Sequence, residues 1–304
     1  MSARRFWDMI AATVRDFRQD NALRLAAALS YYTALALAPL LLVVLAIARL
    51  IWSRQAASQR LLDQFQTLFG HAGAEVVRSI LASAAKPHQG ITATIIGLLT
   101  LLAGATGLFL QLQAALNVIW EVQPRSEGVR GVIKKRLLSL AMVLGVGFLL
   151  LASLVFSAAL AALSTYLKDQ LPGSLRQWNV VNVAVSLLIV TLLFALIFKY
   201  LPDVQVRWRD VWIGALATGV LFTIGKFVIG WYLGRGTVGS AYGAAASFVV
   251  LLVWIYYSSV ILFFGAEFTQ AHARFSGAPL IPQEHARVIA DTDHATKRAH
   301  PAIS

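Results

Sequence analysis

The sequence predicts an all-α polytopic membrane protein: six transmembrane helices, an amphipathic interfacial helix ahead of them, and short amphipathic helices in the first outer loop. Three observations predict it. Hydrophobic residues fill 58% of the 304 positions and charged residues only 13%. The apolar residues gather into separate stretches of spanning length, and Lys and Arg crowd onto alternate connecting segments. A soluble chain of this composition would leave large apolar patches in water and associate through them. Lipid is the solvent that fits.

Residues 1–20 form the first unit. Phe6, Ile10, Val14 and Phe17 recur at helical spacing, with Arg4, Arg5, Asp8 and Arg15 elsewhere on the wheel. Such a helix lies in the cytoplasmic interface with Trp7 at headgroup depth, or packs against the protein's own cytoplasmic loops. The first hydrophobic stretch after it is too long, and starts too late, for a cleavable signal peptide.

Residues 21–274 form the transmembrane domain. A helix needs about 20 mainly apolar residues to cross ~30 Å of hydrocarbon. The stretches that qualify run from Leu29 to Ile51, Ile91 to Leu112, Leu137 to Leu163, Val180 to Leu201, Val211 to Leu233 and Tyr242 to Gly265. In the outer loop 52–90, Leu61, Leu62, Phe65, Leu68 and Phe69 make one apolar face. Val76, Val77, Ile80 and Leu81 make a second after a break at His71 to Gly73. Two short helices there cap the outer face or, alternatively, dock an envelope protein partner. Residues 275–304 read as a disordered cytoplasmic tail, with Pro279, Pro282 and charge clusters. His272, His285, His294 and His300 are spaced too irregularly for a metal site and read as solvated.

With both termini in the cytoplasm, seventeen Lys and Arg fall on the inner side and seven on the outer. Leaving out the long outer loop and the tail, which the positive-inside rule weighs poorly, the balance is thirteen to three. The net charge of +12 therefore reads as membrane orientation, with membrane lipids as partners and no nucleic acid.

Polar groups inside spans are costly and ask for a partner, a cavity or a helix contact. Ser30, Tyr31, Tyr32 and Thr33 precede Pro39, whose ring predicts a kink near mid-membrane. Kinked helices line transport pathways or simply pack. Thr106, Gln113 and Asn117 fall on one helical stripe, reading as interhelical bonds or as a substrate-facing surface. Lys226 stands within the fifth stretch, placed to snorkel outward or to meet an anionic group. Tyr31, Tyr32, Pro39, Thr106, Gln113, Asn117 and Lys226 are thus the candidate substrate pathway. Gly214, Thr218 and Gly225 mark close helix contacts.

No catalytic constellation is present. Cysteine is absent, and carboxylates number 14. There is no phosphate-binding loop, nucleophile elbow, zinc-binding helix motif or paired-carboxylate cluster. Asp203 and Asp210 are too sparse a pair for a two-metal nuclease, and no basic groove with stacking aromatics is available for RNA. The expectation is no enzyme, no metal and no cofactor.

The run Ala26-Ala27-Ala28-Leu29-Ser30-Tyr31-Tyr32-Thr33 ending at Pro39, followed by Leu116-Asn117-Val118-Ile119-Trp120, resembles the YihY/BrkB family of bacterial inner-membrane proteins. So do Tyr200-Leu201-Pro202-Asp203, Val206-Arg207-Trp208-Arg209, Gly214-Ala215, Tyr242-Gly243, Trp254-Ile255-Tyr256-Tyr257 and Gly265-Ala266-Glu267. The resemblance covers roughly Asn21 to Arg274. It implies six helices, a cytoplasmic-membrane location and a role in envelope lipid handling or export. Some members carry a ribonuclease label, which these residues do not support, and others a virulence label. The resulting expectation is a transporter or flippase-like protein for a lipid or amphipathic solute, without ATP hydrolysis of its own. The alternative is a non-transporting scaffold or partner subunit of an envelope complex.

Overall fold

Five of the six expected spans coincide with helices of 26 to 30 residues. The computed structural model describes residues 3–50, 52–85, 91–124, 175–234, 246–279, 281–283 and 286–288. The described helices are α1 (Ala3–Gln19), α2 (Ala22–Ala48), α3 (Arg54–Ala85), α4 (Ile91–Ile119), α5 (Leu175–Tyr200), α6 (Trp208–Gly234) and α7 (Ala246–Phe275). The short strands β1 (Val122–Pro124) and β2 (Ala286–Val288) pair antiparallel, with Val122 opposite Val288. The expected third span, from Leu137 to Leu163, lies outside the described residues. Among the described residues one stretch, Phe248–Phe275, is both long and apolar enough to cross a membrane. Shorter apolar stretches occupy Ala22–Leu37, Thr106–Ile119 and Leu187–Tyr200.

Packing sets the arrangement. α2 lies against α4 and α7, and α6 lies between α5 and α7. The main core joins Ala26 and Leu29 of α2, Leu116 of α4, Phe198 of α5, Val211 of α6 and Phe263 of α7. A second core joins the end of α2, through Leu41, Val44 and Leu45, to Leu61, Val77 and Leu81 of α3. Between α6 and α7 the contact is reciprocal. A Cβ added at Gly214 would collide with Thr269, and one at Gly265 would collide with Thr218. Each threonine hydroxyl donates to a carbonyl four residues back in its own helix, Thr218 to Gly214 and Thr269 to Gly265, both at 2.6 Å. A threonine so satisfied can turn its hydroxyl oxygen against the glycine opposite without leaving a donor unpaired, and the two backbones approach closely.

Four expectations change. The outer-loop segment is one continuous helix, α3, and not two, because glycine in a helix interior costs only ~1 kcal/mol relative to alanine and Leu61 and Val77 on either side of the expected break are anchored in the same core. α2 runs unbroken through Pro39. The missing N–H removes one bond from the ladder, and packing against α4 and α7 holds the rest. In α1 the face turned to the bundle carries Met9, Thr13 and Phe17, whose ring meets Phe264 edge-on at 5.8 Å. Phe6, Trp7 and Val14 stay exposed, so α1 packs on α7 and still offers an apolar edge to an interface.

The fourth change concerns the tail, whose described residues, 275–279, 281–283 and 286–288, are folded. α7 ends in a Schellman motif: Gly277 has φ +68°, its N–H donates to Arg274 O at 3.1 Å, and Ala278 N–H donates to Ala273 O at 2.9 Å. The chain then pairs with the α5–α6 turn, Gln205 N–H to Ile281 O at 2.8 Å and Gln283 N–H to Asp203 O at 3.0 Å, before β2 joins β1. Backbone groups that find partners this way no longer favour a disordered chain. The segments after α4, after α5 and after α7 are thereby tied together, with α1 beside them through an Arg274–Asp16 ion pair.

Candidate functional site

Polar side chains concentrate where those segments meet. α5 stops at Tyr200, and Pro202 follows it in a tight turn that buries Asp203, only 3% exposed. Gln113 Nε2 donates to Asp203 Oδ1 at 3.0 Å, and Asn117 Nδ2 donates to Asp203 Oδ2 at 2.8 Å. Asn117 Oδ1 in turn accepts from the Asp203 N–H at 2.8 Å. Gln113 and Asn117 sit four apart on α4, so both amides reach one carboxylate across the helix boundary. The geometry is that of a tie between α4 and the α5–α6 turn.

A second polar group lies between α1, α6 and α7. His272 Nδ1 is 3.0 Å from Asp210 Oδ1, with both residues buried. His272 was expected to be solvated; it belongs instead to α7, which continues past Gly265 to Phe275. Asp210 Oδ2, Gln270 Oε1 and both oxygens of Glu267 are buried without a hydrogen-bond donor among the described residues. Glu267 is 1% exposed, and the group facing it is the Asp20 carboxyl. Two carboxyl groups bond to each other only when one keeps its proton. Burial raises the Asp20 carboxyl above the ordinary carboxylate value; the neighbouring Glu267 carboxyl opposes the rise, and the charges of Glu121 and Asp16 add to it. The sequence weighed Asp210 only as a partner of Asp203, and the meeting of Asp210 with His272 was hidden because Gly265 reads as the end of the sixth span. The signal was the lack of any helix-stopping residue between Gly265 and Gly277.

Beside this group lies an open cleft of about 610 Å³ between α1, the start of α2, α6 and α7. Its floor includes Phe17, Leu221, Val260, Ile261 and Phe264, and its lining also holds Arg18 and Arg24. Among the described residues no Asp or Glu lines it.

The candidate pathway residues are dispersed. Tyr31 is 58% exposed on α2, whereas the Tyr32 ring lies over Gly107 of α4, where an added Cβ would come within 2.9 Å of it. Pro39 is inside the unbroken α2, and Thr106 is half-buried on α4 beside Gly107, about two turns before Gln113. Lys226 is half-buried on α6, beside Gly225, which abuts Tyr257. It stands about 27 Å along the axis from the start of α6, at ~1.5 Å per residue. The structure therefore joins Gln113 to Asn117 and leaves Lys226 toward the far end of the bundle. No group of three or more potential ligands is placed to hold a metal among the described residues.

The family model described as "Virulence factor BrkB" matches residues 13–289, from the last two turns of α1 through β2. This chain belongs to the BrkB virulence factor family. A UPF0761 membrane protein of Alkalilimnicola ehrlichii is 31% identical over 264 residues, covering 86% of this chain and 57% of the relative. One from Verminephrobacter eiseniae is 33% identical, covering 86% and 62%. One from Mannheimia succiniciproducens is 27% identical and of more similar length, covering 83% and 85%. The BrkB-family chain thus spans about six-tenths of the length of the first two relatives. No solved structure matches it. Family and composition together make it an integral membrane protein.

Proposed function

We propose that this BrkB-family chain is a six-span protein of the bacterial inner membrane, with both termini cytoplasmic, that moves a lipid or amphipathic envelope solute. It does so without ATP hydrolysis and without a catalytic step of its own. The observation that carries the reading is the cleft. An opening of about 610 Å³ falls within the ~300–1,000 Å³ of ligand sites. Its apolar floor suits an acyl chain, and a fully polar solute would find few partners there. Phe264 of the floor lies one turn before Glu267, and Asn21 of the lining adjoins Asp20. A moving headgroup would therefore pass from an apolar surface to a buried polar one.

The test is reconstitution of the purified chain in liposomes that carry fluorescently labelled phospholipids, with a reductant added outside. Transport predicts loss of fluorescence beyond the outer-leaflet half, at a rate that rises with protein per vesicle and is absent with heat-denatured protein. A folded, correctly inserted protein that leaves the inner-leaflet signal untouched would instead support the scaffold reading, in which α3 serves as the docking element.

A further inference from the structure

We propose that Arg18 and Arg24 form a headgroup clamp for an anionic phospholipid whose acyl chain occupies the apolar cleft. The inference rests on the lipid reading of that cleft and names the lipid class.

The turn between α1 and α2 creates the pair. Asn21 adopts φ +51°, a left-handed conformation that asparagine tolerates well. The chain reverses there, so the last turn of α1 and the first turn of α2 contribute to one cleft, each with an exposed arginine. Neither arginine has an ion-pair partner among the described residues. The acids nearby are already engaged: Asp16 pairs with Arg274, and Asp20 faces Glu267. Arg18 sits favourably at the carboxyl end of α1, but Arg24 lies at the amino end of α2, where the helix dipole disfavours a cation and no acid occupies the first turn. Helix electrostatics thus disfavours Arg24, and beyond its share of the inner-side positive charge a ligand gives it a use.

The ligand's chemistry follows from the lining. Guanidinium groups bind phosphate oxygens through paired hydrogen bonds. With no carboxylate among the described lining residues, the ammonium of a zwitterionic headgroup would lie against two positive charges. A headgroup with net negative charge avoids that conflict. Phe17, Leu221, Val260, Ile261 and Phe264 then supply the surface for a chain that free phosphate lacks.

The experiment uses the whole chain in detergent, titrated with acyl-labelled phosphatidylglycerol or phosphatidylcholine. Inorganic phosphate serves as competitor, and each variant is checked for an unchanged thermal midpoint. An arginine near an anionic headgroup contributes about fivefold in affinity, so the parent should prefer phosphatidylglycerol by roughly tenfold or more. Arg18→Gln with Arg24→Gln should bring that preference to within about twofold. Arg4→Gln with Arg5→Gln, on the same helix but outside the cleft lining, should keep it. Equal binding of the two lipids by the parent, a preference that survives in the Arg18/Arg24 variant, an equal loss in the Arg4/Arg5 variant, or displacement of lipid by millimolar phosphate would each overturn the clamp. Transport without headgroup preference defeats the clamp alone, and preference without transport defeats the transport reading alone.

Discussion

Asn117 makes two hydrogen bonds to Asp203 and Gln113 makes one, so the two amides are unequal in a way that can be measured. Interhelical bonds in membranes average about 0.6 kcal/mol, and a buried group left without its partner costs about 1–3 kcal/mol. Asn117→Leu strands both the Asp203 N–H and one carboxylate oxygen, and should lower stability by about twice as much as Gln113→Leu. Thermal unfolding in detergent, followed by size-exclusion fluorescence, measures both. A substrate-pathway role makes the opposite claim: transport lost in both variants at parental stability. The sequence placed the two amides on one stripe, but it offered two readings of them. What it lacked was Asp203, which reads as a loop residue until the turn after α5 folds it inward.

At the scale of elements, the α6–α7 contact is the most sharply constrained. Gly265→Ala puts a Cβ into the space of Thr218, and overpacking of this kind costs about 1–3 kcal/mol. Adding Thr218→Gly vacates the space, so the double variant should regain part of the loss despite the ~1 kcal/mol that a second helical glycine costs. A double-mutant cycle on thermal stability reads the coupling, and strictly additive losses would mean the contact is not formed. Gly214, Thr218 and Gly225 were legible as a contact face because small residues at helical spacing have few other uses. The partners Gly265 and Thr269 were not legible as such, since pairing two helices needs their register. α3 shows the same limit from the other side. Its glycines resemble a break locally, and only the core it shares with α2 carries the helix across them.

For the whole molecule, orientation is the testable claim. The segments after α4, α5 and α7 are joined by backbone bonds, and α1 is ion-paired to α7 beside them. These are the segments that the basic residues assign to the cytoplasm, while α3 packs on the far end of α2. The cysteine-free chain allows a direct check. Gln59→Cys on α3 and Thr237→Cys should react with an impermeant thiol reagent applied to intact cells with a permeabilised outer membrane. Ser276→Cys and Gln205→Cys should react only after the inner membrane is opened. The reverse pattern would invert the orientation and place Arg18 and Arg24 outside.

The sequence by itself determined the helical class, the positions of six described helices, the family and the clustering of basic segments. Each is a property read along the chain: apolar run length, periodicity, charge count or motif. The tertiary structure decided which polar groups meet. Gln113 and Asn117 find Asp203 across 90 and 86 residues of chain, His272 finds Asp210 across 62, and the described part of the tail folds because β1 and the α5–α6 turn offer it backbone partners. A buried polar group is tolerated only with a partner, and the identity of that partner depends on helix register and turn geometry that no local pattern encodes.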